Sequence, residues 1–167
     1  KLDELFLRNN KIMPVNLYKG EVNNSGAYLS LGDDLFNNPA LWTKQAIFNQ
    51  RNDDDYSDLK FLLLLLAKAD NNYEEFENLL RRIDISIWAK FAAFQVLIQS
   101  LHNDSNHNMR IVIDQWSGKV YPIPHDIGSN IGTEKFFLDK SSNILLSTLN
   151  KNSEFVDLKL QFLNDFL

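Results

Sequence analysis

All three histidines of the chain, His102, His107 and His125, lie between positions 102 and 125, a stretch that also carries Asp104 and Asn108 and is followed at once by Asp126. Two chemistries suit such a group. Carboxylate and amide oxygens hold Mg²⁺ or Mn²⁺ in octahedral geometry, and a further carboxylate can orient an attacking hydroxyl, which are the requirements of phosphoryl transfer. Imidazoles with carboxylates instead favour zinc or a similar metal and would serve a metal-dependent hydrolase.

The flanking sequence has to position these residues. Met109-Arg110-Ile111-Val112-Ile113-Asp114 alternates as a strand, Gln115-Trp116-Ser117-Gly118-Lys119 is turn chemistry, and Val120-Tyr121-Pro122-Ile123-Pro124 returns as a second strand. Its prolines place that strand at a sheet edge or lie near the strand's end. Such a hairpin sets the start of one strand beside the end of the other, so Asp104 and Asn108 are expected near Asp126.

Three helices are expected from Ser57 to His102. Ser57 is the N-cap candidate for a leucine-rich helix, Asn71 with Glu74 for the next, and Asp84 for a third that is apolar around most of its circumference. Short strands are expected at 15–19 and 27–31, joined by the turn residues Asn23-Asn24-Ser25-Gly26, and two helices at about 141–149 and 153–166. The fold class is therefore α+β, mostly helical.

Composition narrows the function classes. The 167 residues are 44% apolar and 12% aromatic, enough for a packed core, and the net charge of −5 argues against nucleic acid as a partner. The pair Arg81-Arg82 reads as a solvated helix face. No cysteine is present, which removes thiolate metal sites and cysteine nucleophiles. The run Leu62 to Leu66 is bracketed by Lys60 and Lys68 and falls far short of the roughly 20 residues of a membrane span. Helical pattern at both Lys1 and Leu167 suggests a segment of a longer protein.

The ordered motifs His102-Asn103-Asp104 with Asn108, then a hairpin, then Asp126-Ile127-Gly128 follow the catalytic-loop and metal-loop order of protein kinases. More specifically, His102 to Arg110, Asp114 to Lys119 and Pro122 to Gly128 resemble the signature of the CotH family, atypical kinases named for a spore-coat protein. Asn16-Leu17-Tyr18-Lys19-Gly20 resembles that family's Leu-Tyr-Lys segment, and Leu145 to Phe155 its closing helical region, so the likeness spans most of the chain. It implies a kinase-like large lobe with the site on the hairpin and the small lobe largely missing. It also implies ATP-dependent phosphorylation of protein hydroxyls with Mg²⁺ or Mn²⁺, and an extracellular or cell-surface location. By the resemblance Asp104 is the catalytic carboxylate and Asn108 and Asp126 hold the metal, while Lys19 is a candidate phosphate contact and His102, His107 and His125 support the site.

Several departures stand beside this. Asn108 follows Asp104 by one residue fewer than the kinase spacing, and the hairpin is longer. His125 and Gly128 replace a Trp and a second Asp of the family's last motif. A pseudokinase or surface interaction module is thus an alternative, as is the hydrolase. Each residue also has a plain structural role open to it: Asp104 as a turn cap, Lys19 as an exposed strand lysine, the histidines in packing, and Trp42, Trp88 and Trp116 in core or turn. No Gly-x-Gly-x-x-Gly and no strand lysine in a Val-Ala-Ile-Lys context is present. Residues 1–167 alone are therefore expected to bind ATP weakly or not at all, and a nucleotide titration showing tight binding would overturn this.

Overall fold

A computed structural model describes residues 4–9, 11–22, 34–48, 54–100, 103–125 and 141–166. The expected strand at 27–31, His102 and Asp126 lie outside the described residues. Among those described are six helices and a four-stranded antiparallel sheet, with about half of the residues helical, so the α+β expectation holds.

Helix α1 (Glu4–Asn9) precedes strand β1 (Asn16–Gly20), and a 3₁₀ turn at Pro39–Leu41 leads into β2 (Trp42–Ala46). Helices α2 (Ser57–Ala69), α3 (Tyr73–Arg82) and α4 (Ile85–Leu97) follow. Strands β3 (Met109–Asp114) and β4 (Lys119–Pro122) form the hairpin, and α5 (Ile144–Leu149) and α6 (Ser153–Phe166) come last. The sheet order is β2-β1-β3-β4; β4 is at an edge and ends at Pro122, both compatible with its prolines. Leu17 opposes Val112 and Tyr18 opposes Ile111, which joins β1 to β3 across all three central helices.

Strand β2 has no counterpart in the sequence reading. Its middle residues Thr43, Lys44 and Gln45 are polar, and only Trp42 and Ala46 are buried. Polar residues suit an edge strand, and pairing with β1 decides its conformation. Two helix starts also differ from expectation. Ser57 does not cap α2; its N–H donates to Asp55 Oδ1 at 2.8 Å, and Tyr56 is the cap residue without a side-chain bond. Asn72, not Asn71, caps α3, its Oδ1 accepting from Glu75 N at 3.2 Å. Asn71 is used in the turn that closes α2, where its N–H donates to Lys68 O. Asp84 caps α4 as expected, accepting from Ile87 N.

The core lies between the sheet and α2–α6. Leu59, Leu62, Leu63, Leu65 and Leu66 of α2 are buried, whereas Phe61 and Leu64 face outward, which is why the leucine run reads as a core helix. No described helix is long and apolar enough to cross a membrane. Trp88 is fully buried, and its indole N–H donates to Val120 O at 2.8 Å, fastening α4 to the hairpin. Trp42 does the same for the loop before it, donating to Leu35 O at 2.7 Å. Gly20 is required beneath it: a Cβ there would lie 3.0 Å from Leu35 Cδ1 and 3.1 Å from the Trp42 ring. Trp116 is the exception among the tryptophans, 60% exposed at the hairpin turn with its N–H on Pro14 O. Arg81 and Arg82 are both exposed, as expected.

At the turn end of the hairpin Asp58 gathers donors from three elements. Its Oδ2 accepts from Asn16 Nδ2 and Gln115 Nε2, both at 2.8 Å, and its Oδ1 from Tyr18 OH at 2.6 Å and Leu59 N at 2.7 Å. Burial, then the adjacent Asp58 carboxylate, raises the Tyr18 phenol well above the usual tyrosine range. It therefore remains a neutral donor when an unfolded tyrosine would ionise, at about pH 10. Folding stability is expected to be intact below that pH and to fall as pH rises above it, because the unfolded chain then binds fewer protons than the folded one. Tyr18→Phe should flatten this alkaline slope in urea titrations. Asp58→Ala, which strands several buried donors, should lower stability by about 3 kcal/mol.

Candidate functional site

Helix α4 ends in a backbone motif that turns the chain toward the loop. Ser100 N donates to Gln95 O at 3.0 Å and Gln99 N to Val96 O at 3.2 Å, with Gln99 in the left-handed region at φ 54°. This is the Schellman arrangement, closed here by a glutamine whose Nε2 also donates to Val96 O.

The loop that follows is organised by two side chains. Asp104 Oδ1 accepts from the N–H of Asn106 at 2.7 Å, from the N–H of His107 at 2.9 Å, and lies 2.6 Å from His107 Nδ1. One carboxylate oxygen thus shapes the turn and orients the imidazole. Among the described residues Oδ2 accepts no hydrogen bond, which leaves it available to a hydroxyl or metal. The structural contacts of Asp104 among the described residues thus fall on one oxygen.

Asn103 is 1% exposed, and its Nδ2 donates to Asn108 O at 2.7 Å and His125 O at 2.9 Å. Its own backbone oxygen accepts from Asn143 Nδ2 at 3.2 Å and lies 3.1 Å from Ser142 Oγ. The hydroxyl of Ser142 is also 3.3 Å from Gln95 Oε1, and with one proton it can serve only one of the two. The loop is held from outside as well, since Val22 N donates to Asn106 O and Leu35 N to Ser105 O, each at 2.8 Å.

These contacts bring the segment Asp104–Asn108 against the end of the hairpin at His125, the residue before Asp126. His102 and Asp126 are outside the described residues, so the three-residue set with Asp126 is not completed here. Asn108 has φ 58°, a left-handed conformation that Asn tolerates better than most side chains. That gives this asparagine a backbone reason beside any role as a ligand. Lys19 sits on β1 opposite Arg110 and forms an ion pair with Glu21 at 2.5 Å, with about a third of its side chain exposed. It is one pairing step from Met109, at the mouth of the loop. Among the described residues no three His, Asp or Glu side chains group as a metal site.

Asn103, Ser142 and Asn143 escaped the sequence reading. A buried asparagine inside a run of Asn, Ser and Asp carries no local mark, and Ser142 and Asn143 reach the loop only through tertiary packing.

No family model matches the chain, and no curated protein matches it.

The left-handed backbone at position 108 separates conformation from side-chain chemistry. Asn108→Gly is expected to keep stability within about 1 kcal/mol of the parent, and Asn108→Val to lower it by about 2 kcal/mol. Chemical denaturation of the two variants checks this.

Proposed function

We propose that the chain is the large lobe of an atypical protein kinase of the CotH kind, which transfers the terminal phosphoryl group of ATP to Ser or Thr hydroxyls of a protein substrate. The observation that carries this reading is the meeting of the Asp104–Asn108 loop with the hairpin end at His125 through the Asn103 amide. Together with the order of the sequence motifs, that junction supports one site made of Asp104, Asn108 and Asp126.

In this reading Asp104 Oδ2 accepts the proton of the acceptor hydroxyl as it attacks phosphorus, while Oδ1 stays bonded to the loop. Asn108 and Asp126 would hold Mg²⁺ or Mn²⁺, which would supply positive charge to offset that of the phosphates. Lys19 is the basic side chain nearest the loop along β1 and would contact a phosphate by exchanging Glu21 for it. His107, oriented by Asp104, supports the loop, and His125 carries the carbonyl that fixes the strand end. A pseudokinase remains the competing outcome, because His125 and Gly128 replace the Trp and second Asp of the family pattern.

The Asp104–His107 contact favours a second reading. A carboxylate that fixes an imidazole is the usual outer partner of a histidine bound to zinc, so a hydrolase would use His107 with His102 or His125. Zinc should then stabilise the protein against heat, whereas the kinase reading expects Mg²⁺ or Mn²⁺ to do so.

Phosphoryl transfer from labelled ATP, assayed with any upstream sequence included, tests the main reading. Asp104→Asn is expected to reduce transfer by roughly 10²–10⁴-fold, and Asp126→Ala to abolish it. Transfer that survives Asp126→Ala at the parental rate would remove the assignment, and absence of transfer in the parent would favour the pseudokinase.

A further inference from the structure

Asn103 is the residue on which the two halves of the site converge. Three features mark it out. Its side chain is almost wholly buried, and a single nitrogen binds two carbonyl oxygens from segments far apart in sequence, those of Asn108 and His125. Its backbone oxygen is bound in turn by the residues that open α5. Its Oδ1 is buried and accepts no hydrogen bond among the described residues, an arrangement that stability alone disfavours. A carboxamide is nevertheless the smallest side chain with two N–H groups on one atom, and both are needed to span the two carbonyls.

We infer that Asn103 is a positioning residue that sets the spacing between the Asp104–Asn108 loop and the segment after β4 that ends at His125, and through it the placement of the metal ligand Asn108. The metal half of this statement rests on the reading proposed above; the spacing half does not. Asn103 itself touches no reacting atom. It acts through two backbone carbonyls, each within one residue of a ligand position.

The amide N–H groups of Asn106, His107 and Ile123 report the two segments, because Asn106 and His107 bond Asp104 in the loop and Ile123 bonds Arg110 O at the strand end. Asn103→Asp keeps the shape but turns the donor into an acceptor facing two carbonyls, and Asn103→Ser keeps a donor able to serve only one. In either variant hydrogen exchange should speed up together in the loop and at Ile123, with the exchange of α2 and α3 unchanged. Mn²⁺ titrated alone, followed by the loss of its free-ion paramagnetic resonance signal, should bind 10–100-fold more weakly than to the parent. Leu79→Ala, a core change on α3 away from the loop, should lower thermal stability and leave the Mn²⁺ affinity in place, which a merely structural role for Asn103 would not predict.

If Asn103→Asp does not fold, Asn103→Ser decides the question by the same two readouts. A folded Asn103 variant with parental exchange at Ile123, or with parental Mn²⁺ affinity, overturns the inference. A parent chain that binds no Mn²⁺ removes the metal reading of the site, and joint exchange of loop and strand end in the Asn103 variants still upholds the spacing role.

Discussion

The antiparallel pairing of β1 with β3 is the constraint from which the rest of the molecule follows. Asn16 opposes Ile113 and Gly20 opposes Met109, so two segments separated by the whole central helical region become neighbours. Closing so long a loop is entropically unfavourable, and the helices α2, α3 and α4 offset it by filling the enclosed space with leucines and Trp88. Once β1 lies beside β3, Asn16 and Tyr18 can reach Asp58 at one end, and Val22 can grip Asn106 at the other. The polar network and the candidate site are thus opposite ends of one strand pair.

This arrangement explains how a loop rich in Asn, Ser and Asp keeps a defined shape. Such residues bond readily to their own backbone and to water, and in isolation they would sample many turns. Here Asp104 fixes the inner turn, Asn103 fixes its base, and Val22 and Leu35 hold its outer edge through backbone bonds. Asp104 shapes the loop with a single carboxylate oxygen, which accepts from two backbone N–H groups and meets the His107 ring.

Much of the architecture was legible in the residues. Asp84 before an apolar run marked α4, Pro122 and Pro124 marked an edge strand, and the alternation from Met109 to Ile113 marked β3. Two helix starts were placed one residue off: Asn71 for Asn72, and Ser57 for Tyr56, which takes the cap position without a side-chain bond. One-residue competition of that kind is settled by where the preceding helix ends, which local pattern does not specify. Strand β2 was missed because an edge strand with three polar residues at its centre has no alternation to detect.

By itself the sequence determined which chemical groups flank the hairpin and that the hairpin would form, because strand alternation and turn residues act over short range. Tertiary structure decided how they are held. It gathered the loop contacts of Asp104 on one oxygen, put Asn108 in a left-handed backbone, and paired Lys19 with Glu21. It also chose Asn103, which no local pattern distinguishes from the asparagines beside it, as the amide that joins loop to strand. The physical reason is burial: only at a position cut off from water must both donors of an amide find protein partners, and burial is a property of the fold as a whole.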